Sequence, residues 1–186
     1  MSSLLSEILE HNRQFLASGQ SSQLVVSKYP RLRLAILSCM DARMTGLLPR
    51  ALGLREGDAQ WIKNAGAVVL HPWGSVMSSL LIAVYELGVE EIMVIGHHDC
   101  GARGMRASKI ISKALDEGIS QDDIDLIRYS GIDLDTWLKG FDSVNESVLY
   151  TVQRIHHHPL LPRRIAVHGL IVHPSTGELT VVEAGT

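Results

Sequence analysis

Apolar positions along the chain fall into two kinds of pattern, and the two alternate. Short runs recur at Leu34–Ser38, Gln60–Asn64, Glu91–Gly96, Ile165–Val172 and Glu178–Val182. Runs such as Leu34-Ala35-Ile36-Leu37 and Ile92-Met93-Val94-Ile95 are continuously apolar, the mark of strands buried on both faces of a parallel sheet. Helical stripes separate the first strands, so they align in parallel, as strands joined through helices do. The last two flank His173-Pro174-Ser175-Thr176-Gly177, whose Pro and Gly form turns, and these two pair as an antiparallel hairpin. The pattern predicts an α/β fold. One domain spans residues 1–186, with a mostly parallel central sheet flanked by helices and a C-terminal antiparallel edge strand.

Leu4, Leu5, Ile8 and Phe15 predict an amphipathic opening helix, followed by the polar stretch Ser18–Ser22. A second helix is expected over Pro72–Leu87, with Pro near its first turn and Gly88 just past its end. Val76, Leu80, Ala83, Val84 and Leu87 share one face of it, yet Leu81, Ile82 and Tyr85 add apolar surface elsewhere. A helix apolar nearly all round is either a central core helix or one packed against both the sheet and a second subunit. With the apolar opening helix, the second choice predicts a homodimer or a higher homo-oligomer. Residues Gly101–Asp142 read as short helices and loops.

Composition narrows the class. An apolar fraction of 46%, a net charge of −3 and scattered Lys and Arg describe a globular chain without the basic footprint of a nucleic-acid binder. The first ten residues lack the basic and apolar regions of a secretory signal, and no uninterrupted apolar stretch is long enough to span a membrane. The two cysteines sit in ligand spacing rather than in a disulfide framework, which fits a reducing cytoplasm.

Those cysteines carry the candidate chemistry. Cys39-Met40-Asp41-Ala42-Arg43 and His97-His98-Asp99-Cys100 together offer two thiolates and an imidazole, a donor set suited to Zn²⁺ with a fourth position left open. A buried Cys is often only a small hydrophobe, and an isolated H-x-x-C arises by chance. Both segments, however, follow strand-like runs, and open α/β sheets bind ligands at the carboxyl ends of their strands. Alternation in an extended segment would point Cys39, Asp41 and Arg43 to one side. There a bidentate Arg43 would keep Asp41 ionised; away from a metal the same two residues would be an ordinary exposed ion pair.

C-x-D-x-R followed by G-H-x-x-C-G resembles the β-class carbonic anhydrases. The likeness extends to Lys63-Asn64-Ala65-Gly66-Ala67, to the apolar segment Val76–Leu87 and to Val167-His168-Gly169-Leu170-Ile171. It implies a zinc site at Cys39, His97 and Cys100, catalytic roles for Asp41 and Arg43, and reversible hydration of carbon dioxide to bicarbonate by a zinc-bound hydroxide. In that family the matching aspartate can also bind zinc as a fourth ligand, so Asp41 is expected to act as both orienter and gate. The chain looks like the shorter subclass: Ser27-Lys28-Tyr29-Pro30 supplies no glutamine before the first motif, and only two Phe occur. Two alternatives stand beside this reading, a carbon disulfide or carbonyl sulfide hydrolase on the same site, and a non-catalytic zinc-stabilised dimeric binding module.

Neighbouring residues have less definite roles. His98 is either a proton carrier or a side chain pointing away from the metal. Asp99 either accepts a hydrogen bond behind a ligand or caps a helix beginning near Cys100. His156-His157-His158 reads as an exposed helix terminus, and His71, His168 and His173 are open to structural roles.

Overall fold

A computed structural model describes residues 3–21 and 27–185. Five strands, β1 (Leu34–Cys39), β2 (Ala59–Asn64), β3 (Glu91–His97), β4 (Ala166–Val172) and β5 (Leu179–Glu183), form one sheet in the order β2-β1-β3-β4-β5. The first four are parallel, and β5 runs antiparallel to β4 at the edge. This is the expected α/β domain, with strand limits within one or two residues of those predicted.

Every residue of β1 is buried. Ala35 and Leu37 point into one apolar cluster and Leu34 and Ile36 into another, the period-two division of a strand covered on both faces. The first face is covered by α3 (Ser75–Glu86) and α7 (Val144–His156), the second by α2 (Ala42–Ala51). The segment from Gly101 to Asp142 contains α4 (Ala107–Asp116), α5 (Gln121–Tyr129) and the single turn α6 (Leu134–Trp137), short helices as expected.

Two helices depart from the sequence pattern. The helix expected from Pro72 begins at Ser75, because Gly74 is its extended N-cap and its N–H closes a turn onto the His71 carbonyl at 3.1 Å. Its inner residues Met77, Leu80, Ala83 and Val84 are buried, while Ile82 and Tyr85 are 55% and 61% exposed, so this chain covers only one face of it. The opening helix α1 (Ser3–Ala17) forms as predicted, yet none of its residues is buried and Leu4, Leu5, Ile8 and Leu16 are exposed. The polar stretch after it runs into Ser22, which lies outside the described residues.

The histidine triplet is split rather than uniformly exposed. α7 ends at His156 and the chain then turns inward, leaving His156 and His157 outside but burying His158. The His158 Nε2 lies 3.0 Å from the Pro72 carbonyl, and its Nδ1 accepts from the Leu160 N–H at 3.2 Å. Its ring meets Trp73 edge-on at 4.9 Å. His158 therefore ties the end of α7 to the entrance of α3, a contact invisible in the local pattern.

α7 crosses the sheet over two glycines. A Cβ at Gly96 would stand 2.8 Å from Val148 Cγ2 and 2.9 Å from Val144 Cγ2, and one at Gly169 would stand 2.8 Å from Val148 Cγ1 and 3.1 Å from Val152 Cγ2. Only a strand surface without side chains lets this helix approach so closely. Gly169→Ala is expected to destabilise the fold by about 1–3 kcal/mol through overpacking. Urea denaturation checks this, with the midpoint lowered and the slope unchanged.

Candidate metal centre

β1 and β3 lie side by side in parallel, with Ser38 opposite Ile95, so their carboxyl ends stop together. β1 delivers Cys39 as its last residue and β3 delivers His97. A tight turn then returns Cys100 to the same point, held by the His98 N–H donating to the Val172 carbonyl at 3.1 Å on β4. The ligand atoms of Cys39, His97 and Cys100 lie within 4.8 Å of one another, and all three residues are buried. The two sulfurs are 3.8 Å apart, both free thiols.

His97 shows which way the site faces. Its Nδ1 lies 2.8 Å from the His98 carbonyl, so this nitrogen carries the proton and donates. Its Nε2 is buried with no hydrogen-bond partner and lies within 4.8 Å of both sulfurs. Leaving a buried polar atom unsatisfied is costly, and a cation at this point satisfies it. The residues present thus fit a metal ion with nitrogen and sulfur preference.

The thiols tell the same story through charge. Hydrogen bonding with Cys100 lowers the Cys39 pKa to about 4 against the opposing effect of burial, with His97 and backbone N–H groups adding to the fall. The same contact, followed by burial, pushes Cys100 upward. One proton is therefore shared between two crowded sulfurs, and His97 is raised by its contact with the Cys39 thiolate. A divalent cation held here would replace that proton and let both sulfurs ionise.

The neighbouring loop supports Cys39 from the β2 side. Asn64, opposite Cys39 in the sheet, clamps the turn that follows: its amide donates to the Val68 carbonyl at 2.6 Å and accepts from the Val68 N–H at 3.1 Å. Inside that turn Gly66, at φ +86°, aims its N–H at Cys39 Sγ from 3.4 Å. This explains the K-N-A-G-A segment, whose contribution the sequence pattern left open.

Asp41 and Arg43 do pair beside the ligands, but not through an extended segment. β1 ends at Cys39 and α2 begins at Ala42, so Asp41 is the helix N-cap and accepts from the Arg43 N–H at 3.0 Å. The Arg43 Nε and Nη2 then donate to the two Asp41 oxygens at 3.0 and 2.8 Å. These bonds hold the Asp41 carboxyl down to about 2. Its Oδ2 stands 3.9 Å from His97 Nε2, beside the three candidate ligand atoms.

Asp99 neither holds a ligand nor caps a helix at Cys100, since the next helix starts at Ala107 with Arg106 as its N-cap. It adopts a left-handed backbone, φ +54°, to make the turn from His97 to Cys100. Its carboxylate accepts from Arg43 Nη1 at 2.9 Å, and its carbonyl from Arg43 Nη2 at 3.0 Å. Sequence reasoning missed this partnership; the only local signal is that Asp tolerates positive φ better than most residues. His98 is exposed, its ring 5.8 Å from that of His173, and lines a pocket of about 350 Å³ with Arg103, Asp142, Asn145 and Thr180.

The sequence signature of the carbonic anhydrase family matches residues 34–179, a span that contains every residue of this centre. The chain belongs to the β-class carbonic anhydrase family. Among its relatives, YvdA of Bacillus subtilis is 50% identical over 97% of this chain and 92% of its own length. A carbon disulfide hydrolase of Acidithiobacillus thiooxidans is 30% identical over 79% of this chain and 75% of its own. The crystal structure of β-carbonic anhydrase isoform I from Trichomonas vaginalis superposes with a TM-score of 0.88 at 32% identity, covering 100% of both chains. This β-carbonic anhydrase family member therefore shares its fold along its whole length, while its family relatives include more than one named activity.

The Asn64 clamp provides a test of the architecture. Asn64→Ala removes two hydrogen bonds from a part-buried turn and is expected to cost about 1–3 kcal/mol. Thermal unfolding of the metal-free protein measures this directly, and a melting temperature equal to that of the unmutated chain would contradict it.

Proposed function

We propose that the protein is a zinc-dependent carbonic anhydrase, interconverting carbon dioxide and bicarbonate. Cys39, His97 and Cys100 hold one Zn²⁺, whose charge is balanced by two thiolates and a neutral imidazole. The observation carrying the reading is the Asp41 carboxylate, gripped by Arg43 and standing 3.9 Å from His97 Nε2. A structural zinc site needs no such group; a hydrolytic one does.

When bound, the zinc acts as a Lewis acid that makes water nucleophilic near neutral pH. The chain's own residues do the positioning. Asp41 is ionised across the physiological range and would accept a hydrogen bond from the attacking water without taking its proton, turning a water lone pair toward the substrate carbon. Arg43 donates to both Asp41 oxygens and would thereby keep the carboxylate from binding a metal held by the three ligands.

Carbon disulfide hydrolysis is the second reading, favoured by the 30% identity to the Acidithiobacillus enzyme. The same ligand set serves either reaction. The protein is further proposed to act in the cytoplasm, consistent with two free buried cysteines and with no described helix long and apolar enough to cross a membrane. A homodimer is the proposed working unit, since α1 buries no residue and Ile82 and Tyr85 stand exposed on α3.

Zinc-loaded protein is expected to hydrate carbon dioxide in a stopped-flow assay and to release little hydrogen sulfide from carbon disulfide; the reverse ranking would establish the second reading. Cys39→Ala, His97→Ala and Cys100→Ala should each lower zinc content by metal analysis. Asp41→Ala and Arg43→Ala should keep zinc while losing roughly 10²–10³ in rate, the scale of one electrostatic stabiliser. Unchanged turnover in both folded, zinc-loaded variants would remove the pair from the mechanism.

A further inference from the structure

Arg43 has two carboxylate partners, and the proposed function uses only one. Its guanidinium is shared edge by edge: Nε and Nη2 face Asp41, while Nη1 and Nη2 face the carboxylate and the carbonyl of Asp99. The two aspartates take different hydrogens, so they do not compete for the same donors. We propose that Asp99 is a positioning residue, which fixes the Arg43 guanidinium in place and through it holds Asp41 away from the metal position.

An exposed Asp–Arg pair usually contributes little, and the Asp99 side chain is 82% exposed. Two features set this pair apart. Arg43 is bound by the Asp99 carbonyl as well as by its carboxylate, so two points fix the plane of the guanidinium. The carbonyl is presented because Asp99 sits at φ +54°, in the turn that returns Cys100 to the centre. The strained turn thus performs two tasks, closing the metal triad and gripping the arginine behind it.

The direction of the effect follows from comparing its two parts. With Asp41 held, Arg43 makes four side-chain donations; with Asp41 released onto the metal, it keeps only the two to Asp99. Ordering a long, rotamer-rich side chain has an entropic cost, and Asp99 bears it in both states, so capture of Asp41 meets a guanidinium already oriented. Opposing this, the Asp99 charge partly neutralises Arg43 and repels Asp41. That charge lies in solvent and is screened, whereas the hydrogen bonds act directly. Removal of the Asp99 carboxylate should therefore release Asp41 toward the metal, raising the ratio of released to held Asp41 by about threefold to tenfold, the effect of one immobilised side chain.

The inference rests on the proposed gating of Asp41, and its test does not rely on turnover. In protein loaded with cobalt(II) in place of zinc, the visible absorption of Asp41→Ala defines a centre without the carboxylate, and that of Arg43→Ala one with the carboxylate released. Asp99→Asn and Asp99→Gly both tolerate the left-handed backbone, so their effects report the lost carboxylate rather than a distorted turn. Both spectra should move from the unmutated position toward that of Arg43→Ala, and the Arg43→Ala/Asp99→Asn double variant should match Arg43→Ala alone. In the zinc-loaded protein the Arg43 Nε–H resonance should exchange with water faster in Asp99→Asn than in the unmutated chain. Spectra of both Asp99 variants coincident with the unmutated one, identical spectra for the two reference variants, a further shift in the double variant, or an unchanged Nε–H exchange rate would each overturn the proposal. Absence of carbon dioxide hydration alongside the expected spectral and exchange shifts would sink the proposed reaction and leave the role of Asp99 standing.

Discussion

The parallel pairing of β1 with β3 is the contact on which the centre is built. Ser38 lies opposite Ile95, so Cys39 and His97 leave the sheet within one residue of the same level although a helix–strand–helix excursion separates them in the chain. A slip of two residues would displace one ligand by about 6.6 Å, the rise of a strand over that length, and a slip of one would turn its side chain to the opposite face. Burial prevents both. Leu34 to Leu37 fill both apolar clusters at once, so a slip of one would exchange the pair Ala35 and Leu37 with Leu34 and Ile36, and a slip of two would carry each residue away from its packing partners.

Around this pair the chain carries local costs that fit a metal ion held between the strand ends. Two buried sulfurs stand 3.8 Å apart, His97 Nε2 has no hydrogen-bond partner, and Asp99 adopts left-handed backbone at φ +54°. None of these features helps a core pack. The surrounding order compensates: the Asn64 clamp, the Gly66 N–H and the donation from His98 to β4 hold Cys39 and the turn to Cys100 in place. Such preorganisation is what a centre needs if its ion is to be held in one arrangement.

Much of this was legible from the residues. Buried parallel strands announce themselves as continuous apolar runs, because a strand covered on both faces has no position for a charge, and β1 and β3 are of this kind. Cys39, His97 and Cys100 were legible because their donor chemistry is scarce and their spacing places them at strand ends. Asp41 and Arg43 were legible as a pair but for the wrong geometric reason, since a helix cap, not an extended segment, joins them. Asp99 and His158 were misread: each acts on a residue far away in the chain, Arg43 and Pro72, and periodicity carries no information about such contacts.

The amino-acid sequence alone determined the α/β class, the order of the elements and which three residues form the candidate metal-binding set. These follow from side-chain hydrophobicity at fixed period and from the chemistry of sulfur and imidazole, both properties of single residues or short windows. Only the tertiary structure decided the edge-by-edge division of Arg43 between two aspartates, the inward turn of His158, and the close approach of α7 to Gly96 and Gly169. Each of those depends on where one backbone stands relative to another to within a few tenths of an ångström. That distance is set by the packing of the whole core, and no local pattern of residues encodes it.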